Sequence, residues 1–342
     1  MSRELTIKDA INEAIAQSMR ADENVFIIGE DISGGKGRSH PEALDSLGGA
    51  FGVTKGLVTE FGRKRVLDTP ISETAFTGLG IGASHCGLRP IVEIMYVDFM
   101  GVCFDQILNQ ASKMYYMYGG KASVPMVIRA TCGAGFRVGA EHSQTLYPMF
   151  TALPGLKVVA PSDAYDAKGL LIRAIKDNDP VIFLEHKRLY MKKCEVPEEM
   201  YEIEFGKADI KRAGSDITVI AVQKMVHEAL EAAKVCEQEG ISVEVIDPRT
   251  LSPLDTSTLL ASAKKTGRVV IADESYPRCG LAADFSAIIT ENLFSELKAP
   301  VARVMPPHTP IPFSAGLEDA WIPNSTKILE AIHKTLTYKR YN

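Results

Sequence analysis

VLDTPISETAFTGLGIG, residues 66–82, decides the fold. Val66-Leu67-Asp68-Thr69 is a strand-like stretch halted at Pro70, whose missing N–H ends a sheet ladder. Ser72 and Glu73 then open a helical run of small residues. A strand that turns into a helix is the unit of an α/β sheet, and the turn lies at the carboxyl edge, where such sheets bind ligands. Little bulk at Ala75, Gly78, Gly80, Gly82 and Ala83 lets a neighbouring subunit or a flat ligand come close. Read locally, Ser72 caps the helix and Glu73 favours its positive end. The rest of the chain gives Glu73 a larger part.

The same alternation runs outward in both directions. Thr6 can cap a helix over about 7–20, and VFIIGE (25–30) reads as a buried strand. A Gly-rich loop fills 33–52. IVEIMYV (91–97), VPMVIRA (124–130), LKVVAPS (156–162) and VIFLEH (181–186) are further strands, with helices over 104–117 and 164–176. Residues 187–213 are charged and irregular and read as a linker. DITVIAV (216–222), SVEVIDP (242–248), RVVIADES (268–275) and VARVMPP (301–307) then alternate with helices near 224–239, 255–264, 280–296 and 325–338. Apolar β-branched strands separated by helices imply parallel sheets covered by helices. The expected fold is α/β, with two doubly wound parallel-sheet domains over 1–186 and 214–342 joined by 187–213.

Composition narrows the function. The 342 residues carry a net charge of −5, which gives no support to nucleic acid or an anionic membrane as partner. No apolar run reaches the roughly 20 residues that span a bilayer. The start, MSRELTIKDAINEAI, lacks an apolar signal core, so a cytoplasmic location is expected. The six cysteines are scattered without CxxC spacing and read as reduced thiols. There is no P-loop, and GLGIG (78–82) lies inside a helix rather than at a dinucleotide turn.

Chemistry-bearing residues gather where strands end. Glu30 closes the first strand, and Glu73 follows Thr69-Pro70. Phe99 lies on the continuation of 91–97. Arg137, His142 and Ser143, the last a helix-cap candidate, lie in the loop TCGAGFRVGAEHSQTLY (131–147). Each has a bland reading: a loop acid in water, a helix-terminal acid, a core ring, a surface arginine, a structural histidine. Placement after strand carboxyl ends shifts the balance towards function.

DTPISE (68–73), GLRPIVEIMYVDF (87–99), DQILNQASKMYYMYGG (105–120), VIRATCGAG (127–135), HSQTLYPMF (142–150), PGLKVVAPSDAYDAKGLL (154–171), DNDPVIFLEHKRLY (177–190), DPRTLSPLD (247–255) and ADES (272–275) resemble the β subunits of thiamine-diphosphate-dependent 2-oxoacid dehydrogenase complexes. The resemblance covers essentially the whole chain. Within that family, GGAFGVTKGL (48–57), VDFMGVCFDQ (97–106), ESYPRCG (274–280) and PPHTPIPFSAGLEDAWIP (306–323) are most similar to the acetoin dehydrogenase branch.

The resemblance implies a transketolase-like architecture, a pyrimidine-binding domain followed by a transketolase C-terminal domain. It implies an α subunit that holds the diphosphate and Mg2+ in an α2β2 heterotetramer, and a lipoyl-bearing acyltransferase that receives the acetyl unit. The chain has no GDG diphosphate anchor of its own. Carried over residue by residue, Glu73 hydrogen-bonds a pyrimidine ring nitrogen of thiamine diphosphate, Phe99 packs on its face, and Ile71 and Glu30 lie beside it. His142 moves a proton or steadies oxyanion charge. Arg137 orients substrate or the lipoyl arm, and Asp177 and Asp179 mark a monovalent-cation (K+) site. The implied reaction cleaves acetoin to acetaldehyde and a transferable acetyl unit. The alternatives are oxidative decarboxylation of pyruvate or a branched-chain 2-oxo acid, and a non-catalytic assembly subunit.

Overall fold

A computed structural model describes residues 2–33 and 47–339. Most of the Gly-rich loop expected at 33–52 lies outside the described residues. The chain divides into two compact units, residues 1–132 with 149–204, and residues 133–148 with 205–342.

In the first unit the parallel strands lie side by side in the order Lys157–Val159, Val181–His186, Val127–Cys132, Arg89–Tyr96, Val25–Glu30, Val66–Thr69. Val127–Cys132 and Val181–His186 are buried along their whole length, as strands covered on both faces must be. The helix Ile7–Ala21 begins at Thr6, whose hydroxyl accepts from the Asp9 N–H at 3.1 Å, and it packs along Ala164–Lys176. The helix Glu73–His85 packs on Arg89–Tyr96. Gly80 permits that approach, since a Cβ there would meet Val92 Cγ2 at 2.7 Å. A Cβ at Gly82 would meet nothing within 4 Å, and Ala75, Leu79 and Gly82 lie on the exposed side of this helix.

The structure departs from the sequence reading in three places within this unit. The chain enters as a strand, Ser2–Thr6, paired antiparallel with Lys193–Pro197. Part of the segment read as a linker is therefore sheet, its charges lying on the exposed positions of a two-stranded ribbon. The helix expected over 104–117 is broken into a π-helical turn, Gln106–Ala111, and a short helix, Met114–Met117; the Ser112 N–H reaches back five residues to the Ile107 carbonyl. Ser72 does not cap its helix through its side chain; its hydroxyl donates to the Pro70 carbonyl at 3.1 Å, and its backbone carbonyl accepts from Ala75 and Phe76.

The second unit holds a five-stranded sheet in the order Ala302–Val304, Val269–Ala272, Ile217–Ala221, Val243–Asp247, Asp209–Arg212. The last strand is antiparallel and edges the sheet with charged residues. Edge strands carry charge to discourage further pairing, which is why 209–212 reads as linker from sequence. Valine and alanine from the helix Lys224–Gln238 pack with Ile328 and Ile332 of Ser325–Leu336 over this sheet. A short helix, Ala315–Trp321, was hidden by flanking prolines.

Candidate active site

Three strands of the first unit deliver the site. Val25–Glu30, Val66–Thr69 and Arg89–Tyr96 run parallel, with Glu30 opposite Thr69. All three therefore finish at one sheet edge, where Glu30 ends its strand, Thr69 leads through Pro70 to Glu73, and Tyr96 leads to Phe99. Thr74 ties two of these connections together, since its hydroxyl donates to the Val102 carbonyl at 2.8 Å.

Glu73 is the first residue of its helix and only 8 % exposed. Among the described residues, none hydrogen-bonds or ion-pairs with its carboxyl. The titratable neighbour that feels its charge is the buried Cys103 thiol, which burial pushes up and Glu73 pushes up further. A largely buried carboxyl without a protein partner is costly unless something else bonds to it. Beside it, Ile71 holds an apolar side chain 76 % exposed. Phe99 is half-buried in a 3-10 turn, Val97–Gly101, edge-on to Tyr96 with ring centroids 5.4 Å apart. Glu30 is half-buried. An acceptor set into a helix N-terminus, flanked by apolar surface, suits a flat heteroaromatic ring with a basic nitrogen. The residues fit the pyrimidine of thiamine diphosphate.

Sequence reasoning missed a polar cluster in the same sheet. Arg129 is 2 % exposed and forks onto Glu185, with Nε to Oε1 at 2.7 Å and Nη2 to Oε2 at 2.9 Å, while Nη1 reaches Glu93 Oε2 at 2.6 Å. The Tyr190 hydroxyl donates to Glu185 at 2.7 Å. Burial pushes the Glu93 carboxyl up against the pull of Arg129, and the two carboxylates hold the guanidinium charged. The signal was there: charged residues inside otherwise apolar strands, VEI and VIRA.

His142 and Arg137 belong to the second unit, on the segment 133–148. Ser143 caps no helix: the next one, Tyr147–Thr151, starts four residues on, and the Ser143 hydroxyl is buried without a hydrogen-bond partner among the described residues. The His142 N–H donates to the Gly139 carbonyl at 3.5 Å. The Arg137 guanidinium is engaged by Glu318 and, at 2.6 Å, by Asp319. These two carboxylates lie 181 and 182 residues away in sequence and were not anticipated.

Asp177 and Asp179 share the ammonium of Lys157, at 2.6 and 3.0 Å. Burial pulls that ammonium towards losing its proton, and the bonds to Asp177 and Asp179 more than offset it. A cation of the chain itself thus occupies the two carboxylates considered for a monovalent ion. Among the described residues no group of three or more His, Cys, Asp or Glu is placed to hold a metal. No helix among them is long and apolar enough to cross a membrane.

The transketolase pyrimidine-binding domain family matches residues 3–193, and the transketolase C-terminal domain family matches 206–328. The chain is 56 % identical to the acetoin:2,6-dichlorophenolindophenol oxidoreductase β subunit of Cupriavidus necator, covering 98 % of each. It is 54 % identical to that of Bacillus subtilis, covering 96 % of each. The pyruvate dehydrogenase E1 β subunit of Bacillus subtilis is 43 % identical over 98 % of this chain and 99 % of that one. Among solved structures, an inactive β4 tetramer of a split-gene transketolase superposes with a TM-score of 0.74 at 24 % identity, covering 98 % of this chain and 99 % of that one, a likeness of fold. The chain belongs to the family of thiamine-diphosphate-dependent dehydrogenase β subunits that these relatives define.

Proposed function

We propose that this chain, as a member of that β-subunit family, works in the thiamine-diphosphate-dependent component of an acetoin dehydrogenase. It acts with an α subunit in an α2β2 heterotetramer, in the cytoplasm, and hands its acetyl unit to a lipoyl-bearing acyltransferase. The observation that carries the reading is the buried Glu73 carboxyl at the sheet's carboxyl edge, without a hydrogen-bond or ion-pair partner among the described residues. The proposed division keeps 1–186 as the pyrimidine-binding domain and 214–342 as the transketolase C-terminal domain, with 187–213 between them. The α subunit holds Mg2+ and the diphosphate.

When bound, thiamine diphosphate supplies an acceptor for the electron pair left as the bond beside the substrate carbonyl breaks. The chain's residues prepare and manage that step. Glu73 holds a proton in common with a ring nitrogen of the pyrimidine, and its seat in a helix first turn fixes the direction of that bond. Ile71 and Phe99 offer apolar surface to the ring, and Glu30 borders the same edge. His142 moves a proton at the substrate oxygen or steadies charge developing there. Arg137 orients substrate or the lipoyl arm from its place between Glu318 and Asp319. A monovalent cation such as K+ at Asp177 and Asp179 would have to compete with Lys157.

The second reading, decarboxylation of pyruvate or a branched 2-oxo acid on the same machinery, is favoured by the 43 % identity to a pyruvate dehydrogenase β subunit. One experiment separates the two. The α–β complex is assayed with thiamine diphosphate, Mg2+ and an electron-accepting dye against acetoin, pyruvate and a branched 2-oxo acid. Dye reduction with acetaldehyde release from acetoin is the expected result. Preference for pyruvate with carbon dioxide release keeps the family and overturns the substrate. A complex that binds the acyltransferase but turns over none of the three is an assembly subunit.

A further inference from the structure

The segment 133–148 makes little regular structure before its closing helix, yet the role proposed for His142 needs the imidazole in one orientation. It holds residues in the left-handed region: Gly133 at φ 89°, Gly135 at 104°, Gly139 at 78°, and Arg137, a non-glycine, at 60°. A side chain at such a φ is strained and persists only when surrounding bonds outweigh the strain.

Those bonds converge on one carboxylate. Glu318, on the helix Ala315–Trp321, is 0 % exposed. Its Oε1 accepts from the Gly135 N–H at 2.7 Å. Its Oε2 accepts from the Arg137 N–H at 3.2 Å and also from the Arg137 guanidinium. Glu274 supports the loop's first turn, accepting from the Ala134 N–H at 2.6 Å, and Ala134 packs with Ile311, Trp321 and Ile322. Both Glu318 oxygens face donors, so an amide of the same shape would turn an NH2 onto an N–H. The carboxylate is required there by its acceptor count.

We propose that Glu318 is the positioning residue of the His142 loop: its buried carboxylate fixes Gly135 and the strained Arg137 in their left-handed conformations and thereby aims His142. The inference rests on the role given to His142 above. Glu318 acts through the loop and not on the substrate.

The test uses the α–β complex with E318Q, the shorter acid E318D, the control D319N, H142A and the double variant E318Q/H142A. Amide hydrogen exchange is read across 133–141, with strand Ile217–Ala221 as internal reference. In E318Q the Gly135 and Arg137 amides exchange about tenfold faster or more while the reference is unchanged. Its kcat falls about tenfold with KM within about twofold, because binding is kept and orientation lost. E318D lies between native and E318Q, and it carries the test if E318Q does not fold. D319N, at an exposed carboxylate, stays near native exchange. E318Q costs much less on top of H142A than it does in the native chain, since aiming an absent imidazole has no value and only the hold on Arg137 is left to lose. Unchanged exchange in E318Q overturns the proposal, as does an E318Q loss that multiplies on top of H142A. If H142A alone keeps full activity, the reading of His142 fails separately. The exchange result then decides by itself whether Glu318 holds the loop.

Discussion

Glu73→Gln separates a structural carboxyl from a chemical one, because the two readings predict different pairs of numbers. The substitution conserves shape, so it opens no cavity. The acid sits in the first turn of a 13-residue helix, where a negative charge is worth about 0.3–1 kcal/mol. Losing that term is offset by relieving a carboxyl that is 8 % exposed and has no protein partner among the described residues. The two effects are of similar size, so fold stability moves by less than about 1 kcal/mol. A positioned proton-sharing group contributes about 10²–10⁴ in rate, or roughly 2.7–5.4 kcal/mol of barrier. The expected outcome is an unfolding curve that superposes on native and dye reduction lowered at least a hundredfold. Urea unfolding followed by circular dichroism gives the first number, and acetoin-dependent turnover with the α partner gives the second. Activity above about a tenth of native would refute the reasoning, and so would a stability loss of about 2 kcal/mol or more that accounts for the lost activity.

Other perturbations test the frame around the site. Arg129→Met leaves Glu93 and Glu185 facing each other inside the sheet without their shared cation, and should cost about 3–5 kcal/mol in urea unfolding; a loss under about 1 kcal/mol would show that the cluster is not a closed ion network. Burial pushes the Asp255 carboxyl up, but hydrogen bonds from Ser257, Thr258 and the Ala208 N–H win and hold it down to about 2. Its folded value is thus lower than its unfolded 3.8, so its contribution of about 2 kcal/mol is complete above about pH 4 and fades as pH falls through about 2. Asp255→Asn should flatten that acid limb in stability measured against pH, and an unaltered limb would contradict the assignment. Lys157→Met removes the ammonium between Asp177 and Asp179 and should destabilise by about 2 kcal/mol, partly restored by KCl relative to choline chloride. Native melting temperature should be the same in both salts, and a K+-dependent native melt would place an inorganic cation at this turn.

Much of the scaffold was legible because its signals are local. Val25–Glu30 and Val181–His186 are short apolar runs between turn residues, and Thr6 with Asp9 announces a helix start. Glu30, Glu73 and Phe99 could each be placed after a strand's carboxyl end, but that their three strands are neighbours sharing one edge is shown only by the pairing of the folded sheet. Ser72 and Ser143 misled because a serine before a helix-like run promises a cap that the backbone can supply without its hydroxyl. Ser2–Thr6 and Lys193–Pro197 were illegible because neither is a convincing strand without the other. The break at Gln106–Ala111 follows no composition signal. Arg129 with Glu93 and Glu185, and Arg137 with Glu318, depend on pairings between distant stretches, and hydropathy patterns carry no information about which charges will meet.

The wide separation between the His142 segment and its carboxylates also sets a schedule. On the ribosome, residues 133–141 emerge long before Glu274 and Glu318 exist, and Arg137 waits 181 residues for its partner. At about 5–20 residues per second, that is roughly ten to forty seconds of synthesis. A nascent chain, or one cut short before Ala315, lacks the clamp that shapes this segment. With the role proposed for His142, competence becomes a late event in the life of the polypeptide, since an incomplete product has no Glu318 to hold Gly135 and Arg137.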